Sequence, residues 1–204
     1  MKEKEGEQVE RKAAARRSKT RYLALAGAFT ALTFVVTLFL NIPAAFILGA
    51  GGNINLGDAV ILAAASVLGP FGGAAAGALG AGLADVVGGY IVYAPATVLI
   101  KAAEGFLFGF FLHRPDGSAD LPIRMGGAPG FLRTALAFAL SSFTLVVGYF
   151  FAEAVLLSVG GLTDPAVVWL GAARTLVPNL VQVAVSGAMA LPLSRRLKKL
   201  KSFL

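Results

Sequence analysis

The chain has 204 residues, of which 57% are apolar and only 14% are charged, and its mean hydropathy is +0.77. Soluble domains contain about 45–50% apolar and about 25% charged residues, and disordered chains are poorer still in apolar residues. Both classes are therefore excluded, and an integral membrane protein is indicated. The absence of cysteine also excludes thiol catalysis, disulfides and cysteine-based metal sites.

The net charge of +7 is concentrated at the two ends of the chain. Eight of the 18 Lys and Arg residues lie within 1–21 and five lie within 195–201, beside apolar segments. This placement is typical of contact with anionic lipid headgroups, whereas a nucleic-acid binder carries its basic residues as a patch on a folded face. We therefore expect the lipid bilayer as a partner and no nucleic acid.

Residues 1–21 are predicted to form a cytoplasmic basic N-terminal segment, and the first apolar run follows at 22–40. A signal peptide is the alternative, but its apolar core has only about 7–15 residues. The run here has 19 residues, which is long enough to cross a bilayer as a helix. We interpret it as a retained first transmembrane helix.

Five further apolar segments follow, at roughly 54–68, 71–87, 94–112, 131–158 and 166–193. Gly69 and Pro70 separate the second segment from the third, and Pro178 interrupts the sixth, because proline cannot donate a helical hydrogen bond. The predicted fold class is an all-α membrane protein, a six-transmembrane-helix bundle over 22–193 with a basic cytoplasmic tail at 194–204.

The basic residues also predict which ends of the helices face the cytoplasm. Three connections carry no Lys or Arg, namely 41–53, 88–93 and 159–165, whereas the connection 113–130 contains Arg114 and Arg124. Cytoplasmic connections are enriched in Lys and Arg. With six spans, this rule places both termini in the cytoplasm. The three connections without Lys or Arg then lie outside.

Three consecutive segments each carry one stripe of polar residues at helical spacing. The stripes are Thr97, Lys101 and Glu104; Ser142, Tyr149 and Glu153; and Thr175, Asn179, Gln182 and Ser186. Polar groups facing lipid are expensive, so the stripes should converge on one another or on a cavity. The alternatives are hydrogen bonds that only join helices and an intrahelical ion pair between Lys101 and Glu104.

Further polar residues border the outer connections, and the whole set defines a predicted substrate cavity that opens outward. The candidate residues are Asn53, Asn55, Asp58, Asp85, Tyr90, Tyr93, Thr97, Lys101, Glu104, Tyr149, Glu153, Arg174, Asn179 and Gln182. Lys101 and Glu104 would hold polar or charged ligand groups deep in the site, and Arg174 would place a charge near the mouth. The alternatives are an interfacial aromatic belt for the two outer tyrosines and backbone capping for the two aspartates.

Small residues predict close packing at two places. Glycines in the third segment would let its backbone approach neighbouring helices closely. On the first segment, Ala24, Ala28 and Ala31 share one face with Gly27 beside them. This face would pack either within the bundle or against another protein.

Recognisable catalytic chemistry is absent from the sequence. It contains no G-x-x-x-x-G-K-[ST] phosphate loop, no H-E-x-x-H or G-x-S-x-G pattern, and a single histidine, His113. We expect no enzymatic activity, no cofactor and no metal site.

The central part of the chain resembles the substrate-binding S components of energy-coupling factor (ECF) transporters. The resemblance covers roughly residues 22–112 and is carried by NLGDAVI at 55–61, LGPFGG at 68–73, ADVVGGY at 84–90, APAT at 94–97 and IK at 100–101. It implies a six-helix bundle with cytoplasmic termini. It also implies that a vitamin binds near the outer face, under the connection after helix one and between helices four to six.

The same resemblance implies partners. A small-residue motif on helix one, matched here by Ala24 and Ala28, would contact a membrane coupling subunit, and two ATPase subunits would drive transport. The chain would lie in the cell membrane of a bacterium or archaeon. The resemblance does not fix the ligand. The tyrosines and polar residues of the predicted cavity favour a planar heterocycle such as riboflavin, a pyridoxine-like compound or a thiamine precursor, because they suit stacking and hydrogen bonding. The alternative is a stand-alone facilitator or channel without ATPase partners.

Overall fold

Long apolar runs fold as helices because a helix satisfies its own backbone hydrogen bonds in lipid. The computed structural model describes residues 2–44, 53–113 and 131–197. The elements there are α1 Lys2–Phe39, β1 Asn41–Pro43, β2 Asn53–Asn55, α2 Gly57–Ala75, a π-helical segment Ala76–Ala81, α3 Gly82–Val87, α4 Ala94–Leu112, α5 Phe131–Val159, α6 Pro165–Ala173 and α7 Leu176–Leu197.

Five helical stretches of the described residues are long and apolar enough to cross a membrane. They are Arg16–Phe39, Gly57–Val87, Ala94–Leu112, Leu132–Val159 and Pro165–Ala190. The chain is therefore a mostly helical, multi-pass membrane protein. The count of six and the cytoplasmic position of both termini stay predictions. Arg114, Arg124 and the end of the basic tail, on which the predicted orientation depends, lie outside the described residues.

The stretch Gly57–Val87 is folded back on itself at Gly69. Gly69 has φ 80° and ψ −167°, a conformation that glycine adopts without steric cost, and Pro70 follows it. A Cβ placed on Gly73 would lie only 3.0 Å from the Cα of Ala65, although residues eight apart in a continuous helix are about 12 Å apart. Two helical arms, 57–68 and 70–87, therefore lie side by side, and the predicted separation at Gly69 and Pro70 is confirmed.

The second arm packs its backbone tightly against α4. A Cβ on Gly73 would lie 2.7 Å from the carbonyl oxygen of Gly105, and one on Gly80 would lie 2.7 Å from the carbonyl oxygen of Thr30 on α1. Only residues without a side chain permit such an approach. The close packing predicted for the third segment is confirmed, and it brings the N-terminal end of α4 beside α3.

The last predicted span is divided slightly earlier than its proline. The helix is interrupted at Arg174 and Thr175, between α6 and α7, and Pro178 lies inside the first turn of α7. Proline lacks the N–H that would bond to the carbonyl four residues before it, which here belongs to Arg174. The helix is therefore interrupted at Arg174, whose carbonyl has no N–H to accept from at Pro178.

A two-stranded hairpin connects α1 to α2, a feature that the sequence did not predict. Its strands are antiparallel, with Asn41 opposite Asn55 and Pro43 opposite Asn53. Strands of three residues are too short to show alternation. The hairpin places three asparagines at the end of the bundle where α3 ends and α4 begins.

The predicted boundary after residue 21 does not coincide with a change of structure. α1 runs without interruption from Lys2 to Phe39, and its stretch suited to a membrane begins at Arg16. The separate N-terminal segment therefore stays a prediction.

Candidate ligand-binding cavity

A cavity of about 230 Å³ lies at the hairpin end of the bundle, and each of the described residues that line it is polar. The lining consists of five carboxamides, three tyrosines, two threonines and two carboxylates: Asn41, Asn53, Asn55, Asn179 and Gln182; Tyr90, Tyr93 and Tyr149; Thr97 and Thr175; Asp85 and Glu153. A polar cavity inside an apolar chain is the arrangement expected of a binding site for a hydrophilic solute.

Ten of the fourteen candidate residues line this cavity. They are Asn53, Asn55, Asp85, Tyr90, Tyr93, Thr97, Tyr149, Glu153, Asn179 and Gln182. The structure adds Thr175, which belongs to the third polar stripe, and Asn41. In the sequence, only the position of Asn41 directly after the first apolar run could have indicated that it belongs to the cavity, and this indication is weak.

Two hydrogen bonds join the stripes of α4 and α5 at the cavity wall. The hydroxyl groups of Thr97 and Tyr149 lie 3.2 Å apart. The Tyr93 hydroxyl, just before α4, donates to Glu153 Oε2 at 2.9 Å. The predicted convergence of these stripes is confirmed, whereas Ser142 and Ser186, at their deeper ends, do not line the cavity.

The contact between Tyr93 and Glu153 persists at physiological pH. Burial, together with the hydrogen bond and negative charge of Glu153, raises the pKa of Tyr93 to about 12. The hydroxyl therefore keeps its proton and continues to donate to the carboxylate.

A cluster of charged residues lies beneath the cavity and contributes nothing to its lining. Lys101 is completely buried and forms ion pairs with Asp58 on α2 and, at 3.3 Å, with Glu104 on its own helix. Its Nζ also lies 5.5 Å from the centre of the Tyr149 ring. The intrahelical ion pair considered from the sequence is thus present, with Asp58 as a third member. Lys101, Glu104 and Asp58 do not line the cavity, so their expected contact with a ligand stays a prediction.

Gln182 connects this charged cluster to the cavity. Its Nε2 donates to Asp58 Oδ2 at 2.6 Å, and its Oε1 accepts a hydrogen bond from the backbone N–H of Asn55 at 2.9 Å. The Asn55 side chain in turn accepts from the N–H of Gly57 at 3.1 Å, at the start of α2. One amide therefore holds α7, α2 and the hairpin in register.

The remaining candidate residues lie away from the cavity. Arg174 is exposed at the turn between α6 and α7 and does not line the cavity. Ala24, Ala28 and Ala31 are exposed on α1, and a Cβ added to Gly27 would meet nothing within 4 Å. The small-residue face of α1 therefore points away from the bundle, which excludes internal packing as its role among the described residues.

One lining atom has no partner in the described structure. Asn41 Oδ1 is buried and accepts no hydrogen bond. Buried polar atoms are nearly always paired, so this oxygen marks a place where a ligand or water would donate a hydrogen bond.

Comparison with known proteins extends the resemblance over nearly the whole chain. The family described as ECF-type riboflavin transporter, S component, matches residues 17–199. A protein of Pyrococcus woesei, described as an uncharacterized protein in gap 3'region, is 33% identical over 127 residues, which cover 62% of this chain and 74% of that protein. The family consists of transporter components and not of enzymes. This chain is a member of the ECF-type riboflavin transporter S component family, and hence a substrate-binding subunit of a membrane vitamin transporter.

Proposed function

We propose that the polar cavity is the vitamin site of this subunit, and that it captures its ligand at the outer face of the cell membrane of a bacterium or archaeon. The observation that carries the proposal is the lining itself, which gathers twelve described polar residues around one space. They belong to the hairpin, to α3, α4, α5 and α7, and to the connections before α4 and α7. The unpaired Asn41 Oδ1 supports it, because a ligand would complete its hydrogen bonding.

Riboflavin is the ligand that we propose first, since the family is described by it. The lining suits a planar heterocycle with polar edges. Three tyrosines offer ring faces for stacking, and five carboxamides offer paired donors and acceptors. The volume of about 230 Å³ is slightly below the usual range of about 300–1,000 Å³ for small-molecule sites. Pyridoxine-like compounds and thiamine precursors are therefore tested as ligands alongside riboflavin.

The orientation that we propose has six passes and both termini in the cytoplasm. The fold-back at Gly69 would divide the stretch Gly57–Val87 into two passes, which raises five stretches to six. The first arm, 57–68, has a length of about 18 Å at 1.5 Å per residue, shorter than the bilayer core of about 30 Å. Its start would therefore lie below the outer surface, with the hairpin and the cavity above it.

The partners that we propose are a membrane coupling subunit and two ATPase subunits. The sequence has no phosphate loop of its own, and Ala24, Gly27, Ala28 and Ala31 form an exposed small-residue face on α1. Such a face permits close helix–helix contact in lipid. Ala28→Leu should prevent co-purification with the coupling subunit and leave ligand affinity unchanged. If assembly survives, the contact lies elsewhere.

Ligand identification is the direct test of the proposed function. The purified chain, in lipid nanodiscs, would be titrated with riboflavin, pyridoxine and a thiamine-precursor pyrimidine, and small molecules retained from the cell would be identified by mass spectrometry. We expect one of these vitamins to bind with micromolar or tighter affinity. Absence of binding by the whole panel would contradict the proposal. Solute flux into vesicles that contain only this chain, without ATP, would favour a facilitator.

A further inference from the structure

The charged cluster beneath the cavity contains two carboxylates and one ammonium group. Lys101 is paired with both Asp58 and Glu104, and all three side chains are buried, so together they have a formal charge of −1. Gln182 donates to the second oxygen of Asp58 but adds no charge. Buried charges in proteins are normally paired or coordinate a metal ion. A further positive charge close to the cluster would therefore stabilise it.

Two buried oxygen atoms at the end of α1 lack a hydrogen-bond partner in the described part of the chain. They are Thr37 Oγ1 and Asn41 Oδ1. Thr37 is only 3% exposed, and its hydroxyl lies against Gly57, the residue directly before Asp58. Because buried polar atoms are nearly always paired, these oxygens mark a place where a further group binds, next to the charged cluster.

Asn55 supplies a third oxygen at the same place. Its Oδ1 lies 3.1 Å from the position that a Cβ on Gly57 would take, and the Thr37 hydroxyl lies against that same position. Asn55 is opposite Asn41 in the hairpin, where the side chains of opposed residues share one face. Asn55 Oδ1 accepts one hydrogen bond, from the Gly57 N–H. An amide oxygen has two lone pairs, so one of them is still able to bind a cation.

The chemistry of these oxygens favours a monovalent cation. One is a hydroxyl and two are carboxamides, whereas Ca²⁺ sites are built largely on carboxylates. The charge to be balanced is also a single one. Helix α1 ends at Phe39 with no basic residue in its last turn, and the C-terminal end of a helix favours a cation. Membrane transporters bind Na⁺ with carbonyl oxygens and the C-terminal ends of interrupted helices.

We propose that Thr37, Asn41 and Asn55 bind a small monovalent cation such as Na⁺ where α1, the hairpin and α2 meet, and that this cation balances the charge of the buried cluster. It would fasten the hairpin and the start of α2 to the end of α1. Thr37 is not among the described residues that line the cavity, so the cation and the vitamin occupy different places. The sequence predicted no metal site because it lacks the His and Cys ligands of transition metals, which an alkali cation does not need.

The experiment measures thermal unfolding of the full chain in nanodiscs of neutral lipid, without any vitamin. NaCl replaces choline chloride at constant ionic strength, so that general salt effects are equal in both. Raising NaCl from about 1 to about 100 mM should raise the unfolding midpoint by about 3 °C or more, the shift that corresponds to a dissociation constant of about 10 mM or lower. Radioactive Na⁺ should bind to the same preparation and saturate at a single ion per chain.

Thr37→Val tests the site directly, because valine keeps the branched shape and removes the hydroxyl. The Na⁺-dependent shift should be lost, and Thr37→Ser should retain it. Asn41→Ala removes a second oxygen and should weaken Na⁺ binding about 10-fold or more. Thr33→Val is the matched control. Thr33 lies one turn earlier on α1 and is also buried, but its hydroxyl already donates to the Phe29 carbonyl oxygen at 2.8 Å, so the difference between the two salts should remain.

Three results would overturn the proposal. The first is an equal midpoint in both salts with no bound Na⁺, as expected if only water binds these oxygens. The second is an undiminished Na⁺ shift in Thr37→Val. The third is stabilisation by acidification with no effect of Na⁺, since a proton would then balance the cluster. An equal shift with KCl supports a monovalent-cation site of broader selectivity. No vitamin enters the experiment, so its result is independent of the proposed function.

Discussion

Two groups of polar side chains lie one beneath the other in this protein, and their charges are arranged differently. In the deeper group, Lys101, Asp58 and Glu104 are buried and ion-paired with one another. Among the described residues that line the cavity above it, Asp85 and Glu153 have no basic partner, and an amide oxygen has no donor.

Polar residues inside a membrane protein thus fall into two kinds, those that pair with one another and those that remain available to a ligand. Charges that are paired with one another stabilise the packing of helices and have little remaining capacity to bind a ligand. Groups whose hydrogen bonding is incomplete are the ones available for binding. We therefore expect substitutions in the deeper group to act mainly on stability, and substitutions in the cavity to act mainly on affinity.

The largest effect should come from removing the central cation. Lys101→Met keeps an unbranched side chain but leaves two buried carboxylates without a counter-charge. We expect the free energy of unfolding to fall by about 3–5 kcal/mol, as measured by denaturant titration in detergent. Adding Asp58→Asn should restore part of the loss. Wild-type stability of the single variant would show that Lys101 does not balance these carboxylates.

Gln182 belongs to both groups, so its substitution should affect stability and affinity together. Gln182→Leu removes the partner of Asp58 Oδ2 and of the Asn55 N–H. Each buried polar group left unpaired costs about 1–3 kcal/mol, and the hairpin that carries Asn53 and Asn55 would lose its attachment to α7. Unfolding and ligand titrations on the same preparation measure both effects. A change in only one of them would argue against Gln182 as the connection.

A substitution within the cavity alone should weaken binding with little effect on stability. Asn179→Ala is expected to reduce ligand affinity about 10-fold, the equivalent of about 1.4 kcal/mol. Its neighbour Leu180 is 56% exposed and does not line the cavity, so Leu180→Ala is the control and should bind normally. Equal affinities in the two variants would exclude Asn179 from the site.

The smallest effect should come from Tyr93→Phe, which removes one hydroxyl at the cavity edge. We expect a loss of about 0.5–1.5 kcal/mol in binding. Because the pKa of Tyr93 is raised to about 12, its contribution to stability is complete below the ordinary tyrosine pKa of about 10. It is lost as the pH rises through about 12. Spectrophotometric titration should show one late-titrating tyrosine fewer in Tyr93→Phe than in the wild type.

The positions of the helices could be predicted largely from the sequence, because long apolar runs leave few alternatives in lipid. The turn at Gly69 and Pro70 and the start of α4 at Ala94 agree with prediction. The hairpin was not predicted, since three-residue strands leave no periodic pattern. The sequence predicts an interruption of the last span at Pro178, whereas the structure interrupts the helix at Arg174 and Thr175. The reason is that the Arg174 carbonyl has no N–H to accept from at Pro178.

Composition and residue spacing predict the membrane environment of this protein, its helical class and the stripes of polar residues on three helices. Spacing shows which residues share a helix face, but it does not show the depth or partner of each one. Only the tertiary structure separated Thr97 and Tyr149, at the cavity wall, from Lys101 and Glu104 beneath it. The physical reason is that Asp58, more than forty residues before Lys101 in the chain, reaches it only when α2 packs on α4. That contact alone decides which charges are paired and which remain for a ligand.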